Sequence, residues 1–323
     1  MVLAALYLLI LYRYFVLHEW GNDARSYWTG WEVGLYERPW HGPDGAYVYS
    51  PAFAQGIWPL TLLPWPAFFA IWTLLEIAVL VALAGPILAA VLLLAAQPIW
   101  QEVAGGNVDL MIGAAIAVGF RYPSVWAFPM LTKVTPGVGL IWFAVRREWR
   151  PLWIALGVTA AIVAVSATIA PGLWADWVRL LIDSSATPAP ITSYVVLPLP
   201  LAPRLALGGA IVVWAAATNR PWAVVVAAVV ASPLVTSTRL TMLLGALPLL
   251  GWGPLRMTAA DARHQDHLAP SRRGIEGGRR RQWVGRLLEA TGGRADVGRV
   301  AADRKGSSRV VGADGSVVTT RSG

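Results

Sequence analysis

The chain has 323 residues, of which 56% are hydrophobic and only 14% are charged. A soluble domain carries roughly 25% charged residues, so this composition excludes an ordinary soluble enzyme. The chain has no cysteine, which excludes disulfides, thiol nucleophiles and thiolate metal sites. Its net charge of +8 comes from arginines concentrated after residue 255, which favours a cytoplasmic basic tail over nucleic-acid binding.

Long apolar runs dominate residues 1–256 and predict an all-α polytopic membrane protein with about 9–11 spans. Backbone groups in lipid must bond within their own segment, and such runs do so as helices rather than as alternating barrel strands. The segment 1–17 lacks a basic start and a cleavage site, so we interpret it as a retained first helix. Further helices are predicted over 66–84, 86–99, 108–120, 124–132 with 136–146 (one span each way or a single broken element), 152–170, 201–217, 221–235 and 239–254.

Residues 257–323 differ from this membrane-embedded domain because they are rich in Arg, Gly, Asp and Ser and poor in large apolar residues. Such a segment cannot bury enough apolar surface to form a core, so we predict a disordered tail, with a membrane-surface helix around 281–290 as an alternative for part of it. Two of the four histidines, His264 and His267, lie there, which argues against a histidine-rich metal site in the membrane domain.

Basic residues orient the spans, since Lys and Arg concentrate in cytoplasmic loops. The densest basic turn of the body is VRREWRP at 145–151, and we place it in the cytoplasm with Arg121, TNRP at 218–221 and the tail. Counting spans from these turns places the polar segments on the extracytoplasmic face, namely a long first loop at 18–65 and the segments 98–107, 132–136, 171–200 and 232–239.

The first of these loops contains GNDARSYW, in which Asp23 follows the first helix. A carboxylate there can act as a general base when burial and neighbours tune it, or it can be a solvated acid that caps a helix. The stretch AYVYSP at 46–51 then leads into a Trp- and Pro-rich segment that suits a helix at the membrane interface. Aromatic side chains in this loop either form an interfacial belt or pack against a sugar, and those we select for the sugar are Tyr27, Trp28, Tyr47 and Tyr49.

Three later segments supply polar groups on the same face. QEVAGGNVDLMIG at 101–113 places Asn107 and Asp109 at the outer start of a helix. The backbone N–H groups there favour binding of an anion, or, alternatively, one of the two residues is an ordinary N-cap. MLTKVTPGVGL at 130–140 holds Lys133 inside an apolar segment, as a phosphate-binding point charge or a snorkelling interfacial lysine. SPLVTSTRL at 232–240 offers Arg239 as a bidentate phosphate ligand or a flanking anchor.

Taken in order, these motifs resemble glycosyltransferase family 87, the bacterial polyprenyl-phosphate-mannose-dependent mannosyltransferases, which have a GT-C fold. The motifs are an Asp in the first outer loop, a Tyr-x-Tyr-x-Pro stretch, a Gly-Gly-Asn turn, a Lys-x-Thr-Pro break and a basic RREWR turn. The resemblance covers roughly residues 18–250 and is densest over 104–150.

The resemblance implies transfer of a hexose, mannose in the named family, from a lipid phosphate to a glycan or glycolipid at the extracytoplasmic face of a bacterial plasma membrane. It implies inversion, with Asp23 as base and no metal or cofactor. The donor phosphate would lie near Lys133, with Arg239 and Asn107, and Asp109 would join the aromatic residues on the acceptor or sugar side. The family often shows a His or a second acid in later outer loops, and SPLVTSTRL at 232–240 has neither.

Three other interpretations remain. A transporter or lipid-linked sugar flippase would predict charges at mid-membrane and an internal repeat, whereas the unusual residues here cluster on one face. A structural membrane subunit leaves Lys133 and the Asp23 loop unexplained. An enzyme similar to O-antigen ligases would need a His- and Arg-rich outer loop, and the loop at 171–200 has only Arg179 as a basic residue.

Overall fold

The computed structural model describes residues 20–37, 47–186, 199–233 and 235–255. All of them belong to the unit Met1–Asp266, and the unit His267–Gly323 lies outside the described residues. The predicted first helix at 1–17 and the predicted tail at 257–323 therefore also lie outside them and stay predictions.

The regular elements of the described residues are helical, which confirms the all-α class. The α-helices are α1 Asn22–Val33, α2 Pro51–Thr61, α3 Trp65–Ala84, α4 Pro86–Ala95, α5 Gln97–Gly105, α6 Asp109–Gly119, α7 Ala127–Thr132, α8 Ile141–Val145, α9 Trp149–Ile169, α10 Pro171–Ala186, α11 Leu201–Thr218, α12 Trp222–Ala231 and α13 Ala246–Leu249. Short 3₁₀-helices cover Pro123–Trp126, Thr135–Leu140 and Thr238–Gly245.

Three of the described helices, α3, α9 and α11, are long and apolar enough to cross a membrane. The helices α4 and α5 make a fourth candidate span, bent by 92° at the break between them. Large apolar side chains on these helices, such as Leu74, Ile87 and Leu94, are exposed in the way that lipid contact requires. The chain is thus an all-α polytopic membrane protein, and the number of 9–11 spans stays a prediction.

Two helices end earlier in the structure than the sequence predicted, and a proline explains each difference. The helix predicted over 86–99 is wrong in extent, because α4 ends at Ala95 and α5 begins at Gln97. Pro98 explains this break, since a proline inside a continuous helix lacks one N–H donor and its ring clashes with the preceding turn. The helix predicted over 221–235 ends at Ala231, because Pro233 favours the extended backbone seen at Ser232.

Two segments predicted as loops contain helices. The predicted first outer loop holds α1, which we did not predict, and α2, which fits the helix expected after AYVYSP. The segment predicted as a loop over 171–200 begins with α10. In α10 apolar residues recur at helical spacing among acids and an arginine, namely Leu173, Trp174, Trp177 and Leu180. Our prediction relied on long apolar runs, and that criterion misses amphipathic helices.

The start of α1 lies against the turn that joins α5 to α6. The amide of Gly21 donates to the carbonyl of Ala104 at 2.7 Å, and Trp72 Nε1 donates to the carbonyl of Gly106 at 2.9 Å. Gly106 has a left-handed φ of 72°, and a Cβ there would lie 2.5 Å from the Cβ of Ala24. The glycine therefore lets α1 approach the first turn of α6.

Candidate functional site

Asp109, the first residue of α6, is the centre of a buried ion cluster. Its Oδ1 accepts hydrogen bonds from Lys133 Nζ at 2.8 Å and from Arg239 Nη1 at 2.7 Å. The Asp109 side chain is 0% exposed, and the side chains of Lys133 and Arg239 are 9% and 18% exposed. Because desolvating such charges is costly, the cluster persists only with good mutual geometry.

The chain break after α7 directs Lys133 into this cluster. The helix α7 ends at Thr132, and a 3₁₀-helix begins at Thr135 with Pro136 at its second position. Besides Asp109, the Lys133 ammonium contacts Asn107 Oδ1 at 3.1 Å and lies 5.6 Å from the centre of the Tyr49 ring. An ammonium has three donors, and these two oxygens use two of them.

Asn107 links the cluster to the backbone of the turn. Its Oδ1 accepts the Val108 N–H at 2.7 Å in addition to the Lys133 ammonium. The side chain therefore fixes the position of the cation in the structure, and direct contact between Asn107 and a donor phosphate stays a prediction.

Asp23 lies in the first turn of α1 and is partly buried. A Cβ added to Gly105 would lie 3.6 Å from Asp23 Oδ2, so the carboxylate reaches the turn that carries Asn107 and Asp109. Among the residues that the structure describes, none donates a hydrogen bond to this carboxylate. Its lone pairs are thus available to accept a proton, as a general base requires.

Electrostatics distinguish Asp23 from an ordinary surface acid. Burial raises the pKa of the Asp23 carboxyl above its ordinary value, because it disfavours the charged form. The cations of Lys133 and Arg239 oppose this increase, and the negative charge of Asp109 adds to it. Burial likewise lowers the pKa of Lys133, with the nearby Arg239 acting in the same direction and Asp109 opposing it.

One of the predicted tyrosines, Tyr49, adjoins the ion cluster, and a second, Tyr27, contacts Tyr49. The hydroxyls of Tyr27 and Tyr49 lie 3.0 Å apart, and burial raises the pKa of both phenols, so they stay neutral hydrogen-bonding groups. The segment that carries Tyr49 is held next to the Lys133 turn, because Ser50 Oγ donates to the carbonyl of Leu131.

Two other predicted aromatic residues make different contacts. Tyr47 is buried and donates its hydroxyl to the carbonyl of Ser50 at 3.1 Å. Trp28 Nε1 donates to the carbonyl of Leu63 at 2.8 Å, and its ring packs on Trp65 with centroids 5.7 Å apart. A role for either residue in binding a sugar stays a prediction.

Two buried acids near the cluster were missed at the sequence level. Glu76 in α3 and Glu102 in α5 are both 0% exposed. The detectable pattern was an ionisable residue inside a long apolar run, as at Glu76, which favours a functional or paired group. Within the described ranges, no group of three or more His, Asp or Glu side chains is arranged to hold a metal ion.

Comparison with known proteins gives one match. A family model described as Glycosyltransferase family 87 matches residues 47–255, well over half of the chain. The matched range includes Tyr49, Asn107, Asp109, Lys133 and Arg239, and it begins after Asp23. No curated protein and no solved structure gives a significant match.

Proposed function

The chain belongs to glycosyltransferase family 87, and from that premise and the site geometry we propose that it moves a hexose from a polyprenyl-phosphate sugar to a glycan or glycolipid. We propose mannose as the hexose, because the motifs resemble the mannosyltransferases of the family. The basic turns favour placing the site at the extracytoplasmic face of a bacterial plasma membrane, with the C-terminal tail in the cytoplasm.

Asp23 is the proposed general base. It takes the proton of the acceptor hydroxyl while the hydroxyl oxygen attacks the anomeric carbon of the donor. The bond between that carbon and the phosphate oxygen breaks, and the polyprenyl phosphate leaves with the electron pair. Attack from the side opposite to the leaving group inverts the configuration at the anomeric carbon.

Lys133 and Arg239 are the proposed ligands of the donor phosphate. Charge develops on the phosphate as it leaves, and cations already in place stabilise this charge without reorganisation. The two cations and Asp109 together carry a net charge of +1, which suits an anion. A phosphate needs little proton donation in order to leave, so one base and these cations suffice for the reaction.

The observation that carries this proposal is the contrast between the two aspartates. Asp109 Oδ1 binds both cations, and the two positive charges disfavour protonation of this carboxylate. Asp23 receives no hydrogen bond from the described residues and reaches the same turn. We propose that Tyr27 and Tyr49 lie beside the transferred sugar, since Tyr49 is next to both Asp23 and Lys133.

The proposal is tested by incubating membranes that contain the protein with synthetic polyprenyl-phosphate-mannose carrying a labelled sugar. We expect a labelled product whose anomeric configuration is opposite to that of the donor, and none when GDP-mannose replaces the lipid donor in membranes that lack a lipid-linked mannose synthase. Transfer only from other lipid-linked sugars would show that the transferred sugar is not mannose, but it would support the same class of reaction. Transfer from the nucleotide sugar alone, or retention of configuration, would overturn the proposal.

A further inference from the structure

The helix that carries Asp109 lacks a capping side chain of its own. The N-cap position of α6 is Val108, whose side chain has no acceptor. The first N–H groups of a helix have no partner within the helix, and leaving them unsatisfied when buried is costly. An acceptor from outside α6 is therefore needed.

Glu102 supplies that acceptor from α5. Its Oε1 accepts the Leu110 N–H at 2.8 Å, and its side chain is fully buried. Its backbone carbonyl also accepts the N–H groups of Gly106 and Asn107 at 2.9 and 3.1 Å. One residue thus holds the turn that precedes α6 through its carbonyl and the first turn of α6 through its carboxyl group.

We infer that Glu102 is a positioning residue for the donor-phosphate site, an inference that rests on the proposed function. By fixing the turn it sets the positions of Asn107 and Asp109, which in turn hold the Lys133 ammonium. Glu102 has no exposed surface, so we expect it to act on the donor through these residues and not by direct contact. Its loss therefore acts through the cation and weakens donor binding more than it slows the chemical step.

Glu76 is the matched control. It is also a glutamate with no exposed surface, but neither of its carboxyl oxygens accepts a hydrogen bond from the backbone of residues 105–110. A leucine at either position removes a buried carboxyl group and keeps a similar volume. Only Glu102→Leu leaves the Leu110 N–H without an acceptor, whereas Glu102→Gln keeps an oxygen for it.

The first experiment measures hydrogen–deuterium exchange of peptides covering 105–112 in the full-length protein in detergent. We expect exchange about tenfold faster in Glu102→Leu than in the wild type, as the loss of one buried hydrogen bond predicts. Glu76→Leu and Glu102→Gln are expected to match the wild type. If Glu102→Leu fails to fold, Glu102→Gln still tests the inference, because faster exchange in that variant contradicts it.

The second experiment measures kcat and KM for polyprenyl-phosphate-mannose. We expect KM to rise about tenfold in Glu102→Leu with kcat changed less, and both constants to be retained in Glu102→Gln and Glu76→Leu. A purely structural role would instead lower the active fraction and leave KM unchanged.

The two experiments separate the two proposals. Equal exchange in Glu102→Leu and the wild type, or equal effects of Glu102→Leu and Glu76→Leu, would overturn the inference about Glu102. Absence of transfer by the wild type would overturn the proposed reaction, while the exchange measurement would still decide whether Glu102 holds the turn.

Discussion

Two ion pairs of similar length lie in different regions of the molecule. Lys133 and Asp109 are 2.8 Å apart, with side chains 9% and 0% exposed. In the basic turn before α9, Arg146 and Glu148 are 2.7 Å apart, with side chains 34% and 36% exposed. Distance alone therefore does not distinguish a functional pair from a surface pair.

The environment of each pair makes the difference. Solvent screens the Arg146–Glu148 pair, and such exposed pairs contribute little to stability. The Lys133–Asp109 pair is buried, includes a second cation from Arg239 and lies near the Asp23 carboxylate, which receives no hydrogen bond from the part of the chain that the structure describes. Costly buried charges, a second acid and a chain break at one location favour a functional site over an anchor.

The largest effect is expected from Asp109→Asn. This change keeps the side-chain shape but leaves two buried cations without their counter-charge, so the free energy of unfolding should fall by about 3 kcal/mol. Transfer should fall below detection, because the cations lose their fixed positions. Denaturant unfolding in detergent and the transfer assay measure the two effects. A stable and active variant would show that the cluster is not a coupled unit.

The next effect is expected from Lys133→Met, which keeps the apolar stem and removes the charge. Loss of a charge-assisted contact to the donor phosphate should raise the KM for polyprenyl-phosphate-mannose by about 100-fold. Steady-state kinetics with the donor as the varied substrate test this. An unchanged KM would indicate that Lys133 serves only to neutralise Asp109.

A smaller effect is expected from pH. A base works in its deprotonated form, so kcat/KM should fall as pH decreases through the pKa of Asp23, by about tenfold per pH unit below it. Because burial raises this pKa, the midpoint should lie above the ordinary aspartate value of 3.8. The profile of Glu148→Gln serves as the control. A rate that stays constant down to the acid limit of folding would contradict the assignment.

The smallest effect is expected from Glu148→Gln, which removes a charge from the exposed pair as Asp109→Asn does from the buried one. The free energy of unfolding should change by less than about 1 kcal/mol, because the pair is screened by water. The same unfolding and transfer assays apply. A loss of stability or transfer comparable to that of Asp109→Asn would remove the contrast between the two regions.

The sequence was sufficient to predict much of the site, because charges stand out in an apolar chain. Asn107, Asp109, Lys133 and Arg239 were selected as unusual polar residues of one face, and the structure brings them into contact. The sequence did not predict which acid would pair with the cations. Pairing depends on how α6 packs against the segment 238–245, a contact between distant parts of the chain.

The helices also divide into those that the sequence predicted and those that it did not. Apolar runs located α3, α9 and α11 to within a few residues, since their length exceeds what a soluble core needs. They did not reveal α10, whose apolar residues occupy only part of its surface. The role of Glu102 was also invisible in the sequence, because its hydrogen bond to the Leu110 N–H arises only when α5 turns back toward α6.

The most direct test of the proposed chemistry compares Asp23→Asn with Asp176→Asn, an equal change at an acid that pairs with Arg179 on the exposed side of α10. Transfer from polyprenyl-phosphate-mannose would be measured in membranes with matched amounts of inserted protein. We expect Asp23→Asn to lose transfer by about 10²- to 10⁴-fold and Asp176→Asn to retain it. Equal transfer by Asp23→Asn and the wild type would contradict the assignment of Asp23 as the base.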